Sequence, residues 1–227
     1  LIRLGASEEK IVVIPLGINL NLFRPASPNE RTRMRASIGI PSDCLVVGSF
    51  QKDGNGWGEG LEPKLIKGPD LFCDVLERLA QRRKVFALLT GPARGYVKRR
   101  LISAGIPFSH HFLKKADDVA AYYHALDLYM VTSRVEGGPK AILESLACGI
   151  PLITTKVGMV ADVLSDGIDS CIVPIDGIDE FVMAASRIAD DQSFRMQLIR
   201  NGLNKVKSYD WDIMAEKYEK EIYSRFL

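Results

Sequence analysis

Two carboxylates, a glycine pair and a proline share one short stretch of this chain, which reads Ser133-Arg134-Val135-Glu136-Gly137-Gly138-Pro139-Lys140-Ala141-Ile142-Leu143-Glu144-Ser145-Leu146-Ala147-Cys148-Gly149-Ile150-Pro151. Gly137 and Gly138 leave the backbone before Pro139 unobstructed by side chains. Pro139 opens a helix whose first amides lack intrahelical partners, and together with the helix dipole they make a place for an anion such as a phosphate. Glu136 lies just before that helix. Glu144 lies inside it, on the face of Lys140 four residues back. Ionised carboxylates only accept hydrogen bonds, which suits the hydroxyls of a sugar or a ribose.

Taken singly, each residue has an ordinary structural role. Glu136 can complement a helix N-terminus, Glu144 can pair with Lys140 for a few tenths of a kcal/mol (roughly 0.2–0.5), and Gly-Gly-Pro can be only a turn. Their order, directly after an apolar strand, favours a site.

The elements that would position them alternate. Strands are predicted at 11–14, 45–50, 85–90, 108–113, 128–132, 152–155 and 170–173, and helices at 69–83, 94–104, 117–125 and 138–149, with helix from 178 to the end. Strands apolar along their whole length and separated by helices imply a doubly wound parallel sheet with helices on both faces, a Rossmann-like α/β fold. Ligands of such sheets sit at the carboxyl ends of the strands, where strand order reverses.

Bulk properties fit one α/β domain over 1–227. The 227 residues are 47% hydrophobic and 26% charged, and a net charge of +2 excludes a protein built to coat nucleic acid. Cys44, Cys73, Cys148 and Cys171 are far apart in apolar surroundings. They read as buried free thiols of a reducing cytoplasm, not as metal ligands. No apolar run approaches the roughly 20 residues that cross a bilayer. The chain begins with Leu1, in what reads as the end of a helix, so a preceding segment is expected. No Gly-x-Gly-x-x-Gly with an acid about 20 residues on follows the first strand, which disfavours a dehydrogenase.

The 136–151 segment resembles the signature of retaining glycosyltransferase family 4, of the two-domain GT-B fold. That signature is a Glu, a Gly, a second Glu eight residues after the first, then Ala-x-Gly-x-Pro, here Glu136, Gly137, Glu144, Ala147, Gly149 and Pro151. Val13-Ile14-Pro15-Leu16-Gly17-Ile18 with Phe23 and Pro25 is similar to the approach to the second domain of that family. Lys67-Gly68-Pro69-Asp70 is similar to its phosphate-lysine segment, and Ala125-Leu126-Asp127 to the start of the strand before the signature.

The resemblance implies the donor half of an enzyme that moves a sugar from a nucleoside-diphosphate sugar to a glycan or lipid-linked acceptor, without a metal or other cofactor. It implies that Glu144 accepts the ribose hydroxyls and Glu136 those of the transferred sugar. Lys67 would neutralise the diphosphate. The amides of Gly137, Gly138 and the residues that follow (Pro139 has no N–H, so Lys140 is next) would face the sugar and distal phosphate. Phe112 and Leu113, after His110 and His111, would border the nucleobase through backbone groups. Where the family carries an arginine after the glycine of the second strand, this chain has Ser49 after Gly48, with Lys52 or Lys64 as replacements.

A long insert at 53–61, with four glycines and Trp57, either closes over the donor, meets the acceptor, or is a plain surface loop. The family's Gly-Gly-x-x-Glu becomes Gly158-Met159-Val160-Ala161-Asp162, and its later Asp-Gly-x-x-Gly becomes Asp166-Gly167-Ile168-Asp169-Ser170. Residues 94–100 are basic, a solvated helix face or a peripheral contact with anionic lipid. His124 reads as a helix-end residue. Trp211, Met214, Tyr218 and Ile222 recur at helical spacing and read as a packed stripe.

Residues 1–25 are then a lead-in from an amino-terminal acceptor domain and 210–227 a terminal helix crossing back to it. The expected location is cytoplasmic, extending to the inner face of the membrane. Two rival functions remain, a GT-B nucleotide-sugar epimerase or hydrolase and a non-catalytic nucleotide-sugar-binding module.

Overall fold

The computed structural model describes residues 2–225. Six parallel strands form one sheet: β1 (Leu45–Phe50), β2 (Val85–Thr90), β3 (Phe108–His111), β4 (Leu128–Val131), β5 (Leu152–Thr155) and β6 (Cys171–Val173), in the order β3-β2-β1-β4-β5-β6. The chain runs outward from β1 to β3, returns to lay β4 beside β1, and runs outward again to β6. The reversal therefore lies between β1 and β4, whose register pairs Val47 with Leu128 and Gly48 with Tyr129.

Alternation along the strands feeds two cores, one on each face. Val46, Leu88 and Tyr129 join α4 (Val119–Tyr123) and α5 (Lys140–Ala147) in the first, through Tyr123, Ile142, Leu143 and Leu146. Val47, Leu89 and Met130 join α2 (Pro69–Ala80), α3 (Gly95–Ser103) and α7 (Ile178–Asp190) in the second, through Phe72, Leu76, Leu101 and Phe181. Both faces are covered, as the uninterrupted apolar strands predict, and a single helical turn after β5, α6 (Val160–Val163), adds Val160 and Val163 to the first core. All four cysteines are buried and free.

Three expectations need correction. Residues 11–14 form no strand: no neighbouring strand pairs with them, and Val13 is 71% exposed. An isolated strand has no partner for its amides. The lead-in instead pairs at Ile18 with the start of the last helix, where Ile18 N–H donates to the Tyr209 carbonyl (2.8 Å) and Trp211 N–H to that of Ile18 (3.1 Å).

Second, a helix outside the predicted set, α1 (Pro28–Ile38), precedes β1. It buries no residue fully and so has no apolar stripe to reveal it. Its sequence signal is a capping box, Ser27 with Glu30, and a proline in the first turn.

Third, helix 178 to the end is broken into α7, α8 (Gln192–Val206) and α9 (Trp211–Glu221). The Asp191 and Asp210 carboxylates accept first-turn amides of the last two. In the terminal stripe Met214 is buried and Tyr218 and Ile222 are half-buried. Trp211 is 43% exposed, its ring lying over Gly17. Residues 226–227 lie outside the described part.

Candidate functional site

A cavity of about 300 Å³ opens at the carboxyl ends of β1 and β4, at the reversal of strand order. It is lined by Phe50 at the end of β1 and Gln51 after it, Tyr129 and Val131 of β4, Lys67, Glu136, Gly138 and Pro139 before α5, and Lys140, Ala141 and Glu144 of α5. Crevices at this point of open α/β sheets are where such folds bind ligands.

Lys67 arrives on a single 3-10 turn, Leu65–Lys67, that ends in Gly68 with φ +63°. A Cβ on Gly68 would stand 1.9 Å from the Thr132 carbonyl oxygen, so this turn packs on the end of β4 only because position 68 is glycine. Thr132 Oγ1 donates to the Gly68 carbonyl (2.8 Å). Arg134 completes the clamp with a bidentate pair to Asp70 (2.8 and 2.8 Å), a bond to the Leu65 carbonyl (2.6 Å) and a pair with Asp176 (2.7 Å). These acids raise the Arg134 pKa, and despite burial the Arg134 bonds lower that of Asp70. The clamp brings Lys67 Nζ to 2.5 Å from Glu136 Oε1, which also accepts from Ser133 Oγ (2.9 Å). Three Lys67 N–H donors share one carboxylate, which leaves donor capacity facing the cavity.

Helix α5 begins at Lys140, just past Pro139, and its first-turn residues border the cavity. Glu144 is half-buried, and its Oε2 accepts from the Tyr123 hydroxyl (2.9 Å) in place of the expected pairing with Lys140, which is exposed. Burial raises the Glu144 pKa, against the opposing pull of Tyr123 and Lys140.

The glycines around Glu136 have different reasons. Gly158 has φ +50°, and a Cβ there would meet the Gly137 carbonyl oxygen at 2.1 Å and that of Glu136 at 2.7 Å. Met159 N–H donates to the same Gly137 carbonyl (3.0 Å). The turn after β5 thus braces the Glu136 loop by direct backbone contact. Gly137 has no positive φ, and a Cβ there would meet nothing within 4 Å. The protein's own packing does not require glycine at 137, and Gly137 itself is not among the residues that line the cavity.

Residues 61–205 match the family described as glycosyl transferases group 1. The chain belongs to the group 1 glycosyltransferases. It is 26% identical to the D-inositol 3-phosphate glycosyltransferase of Kribbella flavida over 93% of this chain and 50% of that protein. It is 27% identical to the lipopolysaccharide core biosynthesis mannosyltransferase LpsB of Rhizobium meliloti over 86% and 55%. The chain thus spans about half the length of the curated relatives it matches.

Among solved structures, Anabaena Alr3699/HepE in complex with UDP-glucose superposes with a TM-score of 0.83 at 22% identity, over 98% of this chain and 60% of that one. The carboxyl-terminal domain of the group 1 protein LpcC from Francisella tularensis superposes with a TM-score of 0.71 at 19% identity, over 86% of this chain and 100% of that one.

The remaining expected residues of this group 1 domain fall outside the cavity lining. Gly48 is packed beneath Leu126 and Tyr129, where a Cβ would come within 2.4 Å of Leu126 Cδ1. Ser49 is buried, and its Oγ accepts from Arg94 Nη2 (3.0 Å). The sequence places Arg94 in the basic 94–100 stretch that reads as a solvated helix face. It is instead fully buried, donating to the Gln51 carbonyl (2.8 Å) and pairing with buried Asp53 at 3.2 Å. The guanidinium nearest to Ser49 therefore comes from Arg94. Lys52 Nζ lies 3.7 Å over the ring of Trp57, and Lys64 precedes the Lys67 turn.

The glycine-rich insert is tied down at its base. Gly54 bridges Pro63, and the Glu59 and Gly60 carbonyls accept the amides of Gly95 and Tyr96 at the start of α3 (2.7 and 2.8 Å), while Trp57 stays 87% exposed. Phe112 and Leu113 follow the edge strand β3, with Phe112 71% exposed. His110, His111 and His124 bond to the Gly91 carbonyl, Ser109 Oγ and the Arg24 carbonyl, and burial lowers the pKa of all three.

Sequence reasoning missed Arg134, Tyr123 and Gln51. Arg134 and Tyr123 act through long-range partners that no local spacing reports. Among the described residues no three His, Cys, Asp or Glu side chains gather as metal ligands, and no helix is long and apolar enough to cross a membrane.

Proposed function

We propose that this domain binds the nucleoside-diphosphate-sugar donor of a retaining glycosyltransferase of family 4, with the 136–151 segment as its signature. The observation that carries the reading is the convergence of Lys67, Glu136, Glu144 and the start of α5 on one cavity at the strand reversal. In this reading Glu144 accepts the ribose hydroxyls and Glu136 those of the sugar. Lys67 and the first amides of α5 face the diphosphate. As the bond from the anomeric carbon to the phosphate oxygen breaks, the leaving diphosphate takes the electron pair, and fixed cations and N–H dipoles aimed at it lower the barrier. The acceptor hydroxyl bonds to the same face of that carbon and gives its proton to the departing phosphate oxygen, so configuration is retained.

Lys67 supplies the cation in this scheme, and we assign no metal or other cofactor to the domain. The UDP-glucose bound by Anabaena HepE supports a nucleotide-sugar donor. The coverage of about half of the relatives supports a second, amino-terminal domain of the same protein that brings a glycan or lipid-linked acceptor. In this scheme 1–227 is one donor domain, its first 25 residues lead in from that partner, and the protein works in the cytoplasm at the inner membrane face.

Calorimetric titration with UDP, GDP and ADP sugars tests the proposal. One nucleotide should bind in preference, with EDTA without effect, and Glu144→Ala should weaken it by about tenfold or more. Absence of binding to all three would refute a donor site.

A further inference from the structure

The only side-chain bond recorded to Glu144 among the described residues comes from a tyrosine buried behind the cavity. Tyr123 closes α4 and has no solvent exposure. Its ring is held edge-on to Phe50 at 4.9 Å and to Phe23 at 6.2 Å, and tilted against Tyr129 at 5.2 Å. Tyr129 in turn accepts the Phe50 amide (2.8 Å) through its hydroxyl. This cluster joins the lead-in, β1, α4 and β4, and fixes the Tyr123 hydroxyl at Glu144 Oε2 (2.9 Å). Rings packed this way have no alternative rotamer to relax into.

We propose that Tyr123 is a positioning residue of the donor site: its hydroxyl pins Glu144 Oε2, so that Oε1 is presented to the two ribose hydroxyls of a nucleoside diphosphate. This rests on the donor reading above and adds to it the group that aims the carboxylate. A free glutamate side chain would have to order itself on binding, at a cost in rotamer entropy that a pinned one avoids.

The bond also sets the charge state. Burial favours the protonated carboxyl, which would give up an acceptor and compete with the ribose, while the Tyr123 hydroxyl and the Lys140 ammonium favour the ionised form. The titratable groups around Glu144 are Tyr123 on α4, Tyr129 on β4, Lys140 and Cys148 on and after α5, and the Lys67–Glu136 pair across the cavity. Burial holds the two tyrosines and Cys148 neutral through the acid range, their pKa values all raised. The sign is definite: without the Tyr123 bond Glu144 protonates at higher pH, and ribose recognition is lost at higher pH.

The test is calorimetry of UDP, GDP and ADP on wild type and Tyr123→Phe between about pH 5 and pH 8, with folding checked by circular dichroism. For the nucleotide that binds, affinity should fall with acidification in both proteins, beginning at higher pH in the variant. The variant should then be about tenfold weaker on the acid side and within about threefold at pH 8. The 2′,3′-dideoxy nucleotide, whose diphosphate titrates alike, should keep only the phosphate's share of this acid limb, and that share should not move between wild type and the variant.

A loss in Tyr123→Phe that is uniform across pH, or an unmoved acid limb, would overturn the positioning role while leaving the donor site standing. No nucleotide bound by wild type would overturn both. Should the variant not fold, wild-type proton NMR decides. A slowly exchanging Tyr123 hydroxyl proton should shift with the titration of the Glu144 carboxyl, identified by its absence in Glu144→Gln, and a hydroxyl that ignores that titration contradicts the proposal.

Discussion

Two ionic clusters sit at opposite ends of the same pair of strands. At the amino end, Asp127 takes Arg31 at 2.6 Å and Arg35 at 2.7 Å, and accepts the Val46 amide at 2.8 Å. Arg31 also donates to the carbonyls of His124 and Leu126, and Arg35 to that of Ala125. Those bonds fasten α1 and the α4–β4 link to the sheet. At the carboxyl end, Lys67 and Glu136 meet at 2.5 Å with donors to spare, beside a glycine that packing does not require and a helix start bordering a cavity. Both clusters join distant segments. The difference is engagement: the Asp127 carboxylate takes two arginines and an amide, and those arginines also reach three main-chain carbonyls, whereas among the described residues the Lys67 ammonium bonds to the Glu136 carboxylate alone.

Four substitutions probe this contrast. The largest effect is expected at Gly158→Ala, where the new Cβ would run into the Gly137 carbonyl at a positive φ. We expect a loss of about 3 kcal/mol or more in urea denaturation, with nucleotide binding lost as well. Asp127→Ala strands two half-buried guanidinium groups and an amide, and should destabilise the fold by about 2–4 kcal/mol while the remaining folded protein binds nucleotide normally. Lys67→Ala should do the reverse: stability within about 1 kcal/mol of wild type, and nucleoside-diphosphate affinity down by about ten- to a hundredfold. Equal losses of stability in these two variants would erase the distinction. The smallest and sharpest effect belongs to Gly137→Ala. Its stability should stay within about 0.5 kcal/mol, while sugar-nucleotide affinity falls by about tenfold because the methyl group enters the space beside Glu136.

The fold was largely legible because a doubly wound sheet announces itself by short apolar runs between helices. Val46 and Val47, one to each core, are apolar for that reason. Strand 11–14 failed because Val12 and Val13 have the right side chains and no neighbour to pair with, and pairing is a tertiary fact. Helix α1 was missed because polar helices held by caps and by Arg31 and Arg35 lack periodicity. At the site, Lys67, Glu136 and Glu144 could be picked out from a resemblance, and the structure places all three on one cavity. Arg94 cannot be read correctly: its burial beside Ser49, 45 residues away in sequence, depends on the insert and the turn after β2 meeting. Tyr123 carries no local sequence signal of a role at the site, and only its distance to Glu144 gives it one.

The most direct test of the account is residue-resolved. Backbone amide shifts of the labelled domain would be followed while the preferred nucleotide sugar is titrated in. The account predicts perturbations concentrated at Gln51, Lys67, residues 136–141 and Glu144, with Arg31, Arg35 and Asp127 unmoved. Shifts centred on the Asp127 cluster, or saturable binding that leaves 136–144 unperturbed, would contradict it.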